Sequence, residues 1–441
     1  MAAKPAWSAV LRIFVSFLLV GILYQTWVLR GQQSTQSTLE NLRESIAQRL
    51  EQLSSNYDQQ AVFDNHHLDL GPSVSFANYT ASLEKAIQDA FSLPSLPQPS
   101  RLQQAITSAR SAAQLAPKDG WPLPELPHAI STSLKDISDM PPEFQGWERT
   151  NPGWSTNIYD DETQDSWMRD HLATTTDSGA EKTAVLKAYE GLPRPVLKSD
   201  MFRYLKVFLE GGVYADSDTS GVVPVMEWGK KAGTLQDWTD STLLRLNAEA
   251  LKLNHGDSRP PPINEAPPAL IVALETGTRR DDHEGGHLSQ YAFAAAPGHP
   301  MFLDLLQHIV EVSRAVDQLR AAGDNRTWNL DRIVYTWTGP EIWSSAVWRY
   351  LWARWGFDSR RLHGTSHPVR VGDVMILPFR SFHAPAPERI EDQPPEACLW
   401  HGFSGYTRWK HPEGEKKDAW STSCLVLHRQ GLGRVWIQWV R

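Results

Sequence analysis

Asp216 and Asp218 stand two positions apart near the end of the segment 199–219, SDMFRYLKVFLEGGVYADSDT, and a further charged pair, Asp200 and Arg203, opens the same segment. Two hard carboxylates held close together suit Mg2+ or Mn2+, ions that keep coordination positions for water and phosphate oxygens. Such a pair can clamp a divalent cation against a diphosphate. Side chains at i and i+2 of a continuing strand point to opposite faces, so both reach one ion only where the chain turns at Ser217. The small polar residues Ser217, Thr219 and Ser220 permit that turn. Acidic pairs also occur in solvated loops, and Asp-X-Asp alone does not separate the two readings.

The elements that must position these residues are legible on either side. Met201, Tyr204, Leu205 and Phe208 recur at helical spacing, with Arg203, Lys206 and Glu210 around them. Gly211-Gly212 then ends the helix, because glycine tolerates the left-handed turn that follows a helical end. Val213, Tyr214 and Ala215 read as a strand that delivers Asp216 and Asp218 to its carboxyl end. Loops at that end of the strands are where α/β folds place ligands.

Taken whole, the segment resembles the DXD glycosyltransferases, which include the fungal initiation-specific alpha-1,6-mannosyltransferases and the sugar-transfer domains of large clostridial toxins. Their shared pattern is Asp-X-X-Arg on a helix, then Gly-Gly-(Val/Ile)-Tyr-X-Asp-X-Asp. Here it stands as Asp200, Arg203, Gly211, Gly212, Tyr214, Asp216 and Asp218. The resemblance implies a GT-A-type α/β domain, a Rossmann-like mixed sheet flanked by helices. It implies that Asp200 and Arg203 contact the donor sugar, that Asp216 and Asp218 hold Mn2+ or Mg2+ and the nucleotide, and that Tyr214 belongs to the nucleotide site. Near the C-terminus, 400–410 is similar to the family's closing His-X-Phe-X-Gly-Ser-Trp-Lys segment, with residues inserted before Trp409-Lys410. On that likeness His401 is either a third metal ligand or a structural residue, and Lys410 a phosphate partner. GDP-mannose as donor, retention of anomeric configuration, a mannose-containing glycan acceptor and a Golgi location follow from the resemblance alone. Other donors, a glycolipid acceptor and a catalytically silent scaffold stay open. A glycoside hydrolase would set two carboxylates across a sugar, and Asp216 and Asp218 are too close in sequence for that.

The likeness extends over 121–410. A first strand is expected at 128–133, and 146–162, GWERTNPGWSTNIYDDE, leads into a second whose acids, Asp160, Asp161 and Glu162, read as a solvated strand end. A later apolar strand, 269–274, ends at Glu275 and opens into a polar loop containing Asp281, Asp282, His283 and His287. QYAFAAAPGHP, 290–300, precedes a helix at 301–319; Thr338-Gly339-Pro340 starts another; 373–378 is a late strand.

Composition sets the remaining bounds. A net charge of −8 without a basic cluster argues against nucleic acid, and 441 residues allow one or two domains. Cys398 and Cys424 are the only cysteines, too few for a disulfide scaffold; they either form one bridge or remain buried thiols. The apolar run 13–29, preceded by Lys4 and Arg12, is expected to be an uncleaved signal anchor, with 1–12 cytosolic and the rest lumenal. At ~1.5 Å per residue it reaches ~25 Å, which suits a thin membrane. The segment 30–120 reads as a lumenal stem ahead of a catalytic domain at 121–441. Leu39, Leu42, Ile46, Leu50 and Leu53 mark an amphipathic helix at 37–54, able to pair with itself or another chain, or to pack on the stem. Further helices are expected at 79–91 and 101–115. Asn78 and Asn325 head glycosylation sequons.

Overall fold

The computed structural model describes residues 68, 74–91, 100–114, 125–176, 179–230, 267–275, 286–323, 331–362, 365–383, 393–402, 426–430 and 434–438. All of them fall in one compact unit, His67–Asn325 with Asp331–Arg441. The expected anchor 13–29 and stem helix 37–54, together with Asn325, Lys410 and Cys424, lie outside the described residues. Among the described residues no helix is long and apolar enough to cross a membrane.

The centre is a seven-stranded mixed sheet. Its strands are β1 (Ala129–Ser133), β2 (Ser155–Tyr159), β5 (Gly212–Ala215), β7 (Leu270–Ala273), β8 (Ala292–Ala295), β9 (Val369–Val371) and β10 (Val374–Leu377), in the order β2-β1-β5-β8-β7-β10-β9. The β1–β2, β1–β5 and β7–β10 pairs are parallel. β8 runs antiparallel to both neighbours, and β9 antiparallel to β10. LIVA and VMIL are buried along their whole length, the pattern of strands covered on both faces. Short strands β6 (Thr219–Gly221) and β11 (Leu399–His401) form a separate antiparallel ladder beside the carboxyl end of β5, and β3 (Ala173–Thr176) pairs with β4 (Gly179–Lys182) as a hairpin; the shorter helices are α3 (Gln145–Thr150), α5 (Ala184–Gly191) and α8 (Asp331–Trp337).

Helix α6, Pro195–Glu210, is the spine against which the sheet is set. Proline at its first turn and Gly211 at its end, with φ of 69°, bound it. It is so enclosed that Arg203 and Lys206 are buried with its apolar residues. Gly212, at φ of 91°, follows at once; a Cβ there would lie 2.6 Å from the Ala129 carbonyl oxygen. The glycine pair therefore lets the chain reverse while β5 sits tight against β1.

Helix α7 (Met301–Ala321), α9 (Pro340–Trp355) and α6 pack together, with α1 (Phe76–Phe91) against α7 and α2 (Arg101–Gln114) against α6. Both α1 and α2 lie within 30–120, the range expected as stem, yet both are part of the core: Tyr79, Leu83, Ala86, Leu102 and Ala109 are buried. Asn78 is exposed in the first turn of α1. His299 of the Pro-Gly-His-Pro turn is fully buried, its Nε2 3.1 Å from Asp373 Oδ2, and Tyr350 donates to the same oxygen at 2.7 Å. That network ties the start of α7 and α9 to the edge of the sheet. Asp160 and Asp161, expected as a solvated strand end, instead start α4 (Asp161–Leu172), where Asp160 and Thr163 form a capping box. Trp147, Trp337, Trp343 and Trp355 are fully buried core residues.

Candidate active site

The strand order brings the sequence-marked residues to one end of the sheet. Asp216 follows the last residue of β5, and its N–H donates to the Tyr291 carbonyl at 2.7 Å. The chain then turns: the N–H and hydroxyl of Thr219 both donate to the Asp216 carbonyl, at 3.1 and 2.6 Å. The buried indole of Trp147 donates to Thr219 Oγ1 at 3.0 Å from the next layer. This is the turn at Ser217 that two carboxylates need in order to share one ligand. The β6–β11 ladder pairs Thr219 with His401, and the Gly402 N–H closes it on the Asp218 carbonyl at 2.8 Å.

Arg203 is the hub beneath. Its Nη2 lies 3.1 Å from Asp200 Oδ1 and 3.3 Å from Asp216 Oδ1, and its Nη1 donates to the Gln290 carbonyl at 3.1 Å. The guanidinium lies over the Tyr214 ring at 4.8 Å, and Arg203 Nε is buried with no hydrogen-bond partner. Asp200 accepts from Thr338 Oγ1 at 3.0 Å. Burial pushes Asp200 up to about 7, against the pull of Arg203 and the Thr338 hydroxyl. Asp216 is also raised, by burial first and with Arg203 opposing.

On the far side, His401 Nε2 lies 3.4 Å from Asp218 Oδ1, and its ring packs on Tyr291 with centroids 4.1 Å apart. Glu275, at the carboxyl end of β7, is raised to about 7 by burial, partly offset by His401. Arg203 thus lies between Asp200 and Asp216, while Asp218 and Glu275 both lie near His401 on the other side. That excess of negative charge, with oxygen donors at the mouth, fits a divalent cation on Asp216 and Asp218.

The structure adds detail at three of the expected residues. Tyr214, expected at the nucleotide, is fully buried; its hydroxyl shares a 2.8 Å hydrogen bond with Ser133 Oγ and its face supports Arg203, so it acts from behind the site. His401 pairs with Asp218, and among the described residues no three His, Cys, Asp or Glu side chains converge as a metal cluster. Glu275, expected as a solvated loop residue, is drawn inward by its N–H bond to the His287 carbonyl at 2.7 Å. Gln290 and Thr338 carry roles that sequence reading did not assign: both touch Tyr204, and Thr338 holds Asp200. The Thr-Gly-Pro and Gln-Tyr-Ala-Phe segments were the available signal, since each stands beside the start of a regular element.

A mixed α/β sheet thus carries two aspartates on a turn at the carboxyl end of β5, backed by a buried Asp–Arg pair, which is the residue set of the DXD pattern. Residues 141–234 match the family described as "Glycosyltransferase sugar-binding region containing DXD motif", and the chain is a glycosyltransferase. It is 27% identical over 326 residues, 70% of this chain and 72% of the relative, to the "Initiation-specific alpha-1,6-mannosyltransferase" of Schizosaccharomyces pombe. It is 23% identical to the "Putative glycosyltransferase HOC1" of Saccharomyces cerevisiae, over 92% of this chain and 97% of the relative. A Candida albicans protein described like the first is 27% identical over 60% of this chain and 66% of the relative. A solved structure, "PaToxG Glycosyltransferase", aligns at 13% identity with a TM-score of 0.30, over 62% of this chain and 82% of that one. At that score the fold class rests on this chain's own sheet order.

Proposed function

We propose that the chain is a metal-dependent, retaining mannosyltransferase that moves mannose from GDP-mannose to a mannose-containing glycan. It works as a single-pass type II protein of the Golgi membrane with its catalytic domain in the lumen. The observation that carries the reading is Arg203, fixed between Asp200 and Asp216 directly behind the Asp216–Asp218 turn. The donor and the acceptor are drawn from the mannosyltransferases to which the chain is similar, and the anchor from the apolar run 13–29.

Asp216 and Asp218 would hold a divalent cation, which would supply charge neutralisation for a departing diphosphate. The chain's own residues do the rest. Arg203, locked by its two carboxylates and the Gln290 carbonyl, keeps a fixed positive charge beneath the site, where preorganised charge stabilises developing charge best. Asp200 presents carboxyl oxygens as acceptors for sugar hydroxyls. Tyr291 and His401 form a packed wall that limits water on the Glu275 side.

The test is release of nucleoside diphosphate by the full chain in detergent, from GDP-mannose, UDP-galactose and UDP-glucose, with Mn2+ or EDTA and with or without α-mannobiose. Release from GDP-mannose that needs the metal and disappears in Asp216→Ala is expected. Release from a UDP-sugar alone would replace the donor, and no release from any donor by folded protein would remove the reading.

A further inference from the structure

A cleft of about 380 Å³ opens beside Asp218, and of the site residues placed above only Asp218 and Gly402 line it. Its walls include Asp139, Met140, Pro142, Glu143 and Trp400. Adjacent residues of a strand point to opposite faces; with His401 turned inward onto Asp218 and Tyr291, its neighbour Trp400 on β11 faces the cleft. Trp400 is half-buried, and it is not among the aromatic rings that pack the core beneath this end of the sheet. A Cβ at Gly402 would lie 2.7 Å from the Trp400 ring and 3.3 Å from the Asp218 carbonyl oxygen, so the glycine leaves room for the indole beside Asp218. Across from it, the segment after β1 contributes prolines and two carboxylates, with Asp139 exposed and Glu143 half-buried. Neither Asp139 nor Glu143 has a lysine or arginine within ion-pair distance among the described residues.

We infer that this cleft is the acceptor subsite, and that it binds a neutral sugar with vicinal hydroxyls. An indole face beside proline rings takes the C–H face of a pyranose, and ionised carboxylates accept from paired hydroxyls. The same carboxylates repel a diphosphate, so they select against the nucleotide end of the donor. The placement suits the chemistry, since the acceptor hydroxyl must arrive beside the residue that flanks the departing diphosphate. The inference rests on the transferase reading for the word acceptor, but its test does not need turnover.

The test is binding of α-mannobiose to the full chain in detergent, read by saturation-transfer NMR, alongside binding of GDP with Mn2+. Wild type is expected to bind the disaccharide. Trp400→Ala should weaken it at least tenfold, Trp400→Phe should restore most of that loss, and the pair Asp139→Asn with Glu143→Gln should weaken it several-fold. GDP affinity should stay within twofold in all of them. Equal disaccharide binding by wild type and every variant, or none by wild type, overturns the inference. Loss of GDP binding in the Trp400 variants would instead make the cleft a nucleotide site and overturn it too. Failure of donor release with disaccharide binding intact would strike the transferase reading alone.

Discussion

Arg203 Nη2 stands 3.3 Å from Asp216 Oδ1, which joins the middle of helix α6 to the end of strand β5. With Asp200 on its other side, this guanidinium is the counter-charge for one buried and one half-buried carboxylate. Breaking a buried pair from one side strands the other charge, at ~3–5 kcal/mol. Arg203→Ala is expected to lower unfolding free energy by about 3 kcal/mol in urea titrations and to abolish turnover. Arg203→Lys should recover part of the stability and little of the activity, because an ammonium cannot serve Asp200, Asp216 and the Gln290 carbonyl from one planar fork.

The Asp216–Asp218 turn predicts a separation between stability and metal response. Asp218→Asn removes one negative charge from a crowded site, so the protein without metal should melt at or above the wild-type temperature. The rise in Tm that Mn2+ gives the wild type should vanish in this variant, and turnover with it. A Mn2+ response of wild-type size in Asp218→Asn would place the ion elsewhere.

Asp200 predicts a pH slope. Its carboxyl is raised by burial from 3.8 to about 7 in the folded protein, against the pull of Arg203. Between those values the native state holds a proton that the unfolded chain has released. The contribution of Asp200 to stability therefore falls as pH rises from about 4 to about 7, and is lowest above that range. Urea unfolding at pH 5, 6, 7 and 8 should show a steeper decline in wild type than in Asp200→Asn; parallel profiles would remove Asp200 as the source.

Gly212 predicts a local failure of the sheet. At φ of 91°, with a Cβ due 2.6 Å from the Ala129 carbonyl oxygen, Gly212→Ala must push β5 off β1. Strain of this backbone type is of order 1–3 kcal/mol before the clash is added. The expected result is a lower Tm, faster hydrogen exchange in β5, and loss of activity through displacement of Asp216. Gly153, also at positive φ but with nothing within 4 Å of its Cβ position, should tolerate alanine far better.

Much of this was legible in the residues themselves. The helix–Gly-Gly–strand–Asp-X-Asp unit is local: apolar spacing, two glycines and a short β-branched and aromatic run determine it within about 20 residues, and the structure reproduces it as α6, Gly211-Gly212 and β5. The helices after His299 and Gly339 likewise follow from local spacing and from proline at the N-cap of the first and in the first turn of the second. Tertiary structure alone decided which distant segments meet that unit. Gln290 and Thr338 reach Arg203, Asp200 and Tyr204 across 86 to 138 residues of chain. His401 arrives at Asp218 only through the β6–β11 ladder. Tyr214 is expected at the nucleotide because it stands in the pattern of Asp216 and Asp218; its burial depends on strands β1 and β8 closing over both sides, which no local signal records. The physical reason is the same throughout. Backbone propensity acts over a few residues, whereas charge pairing and burial depend on partners that only the folded sheet brings together.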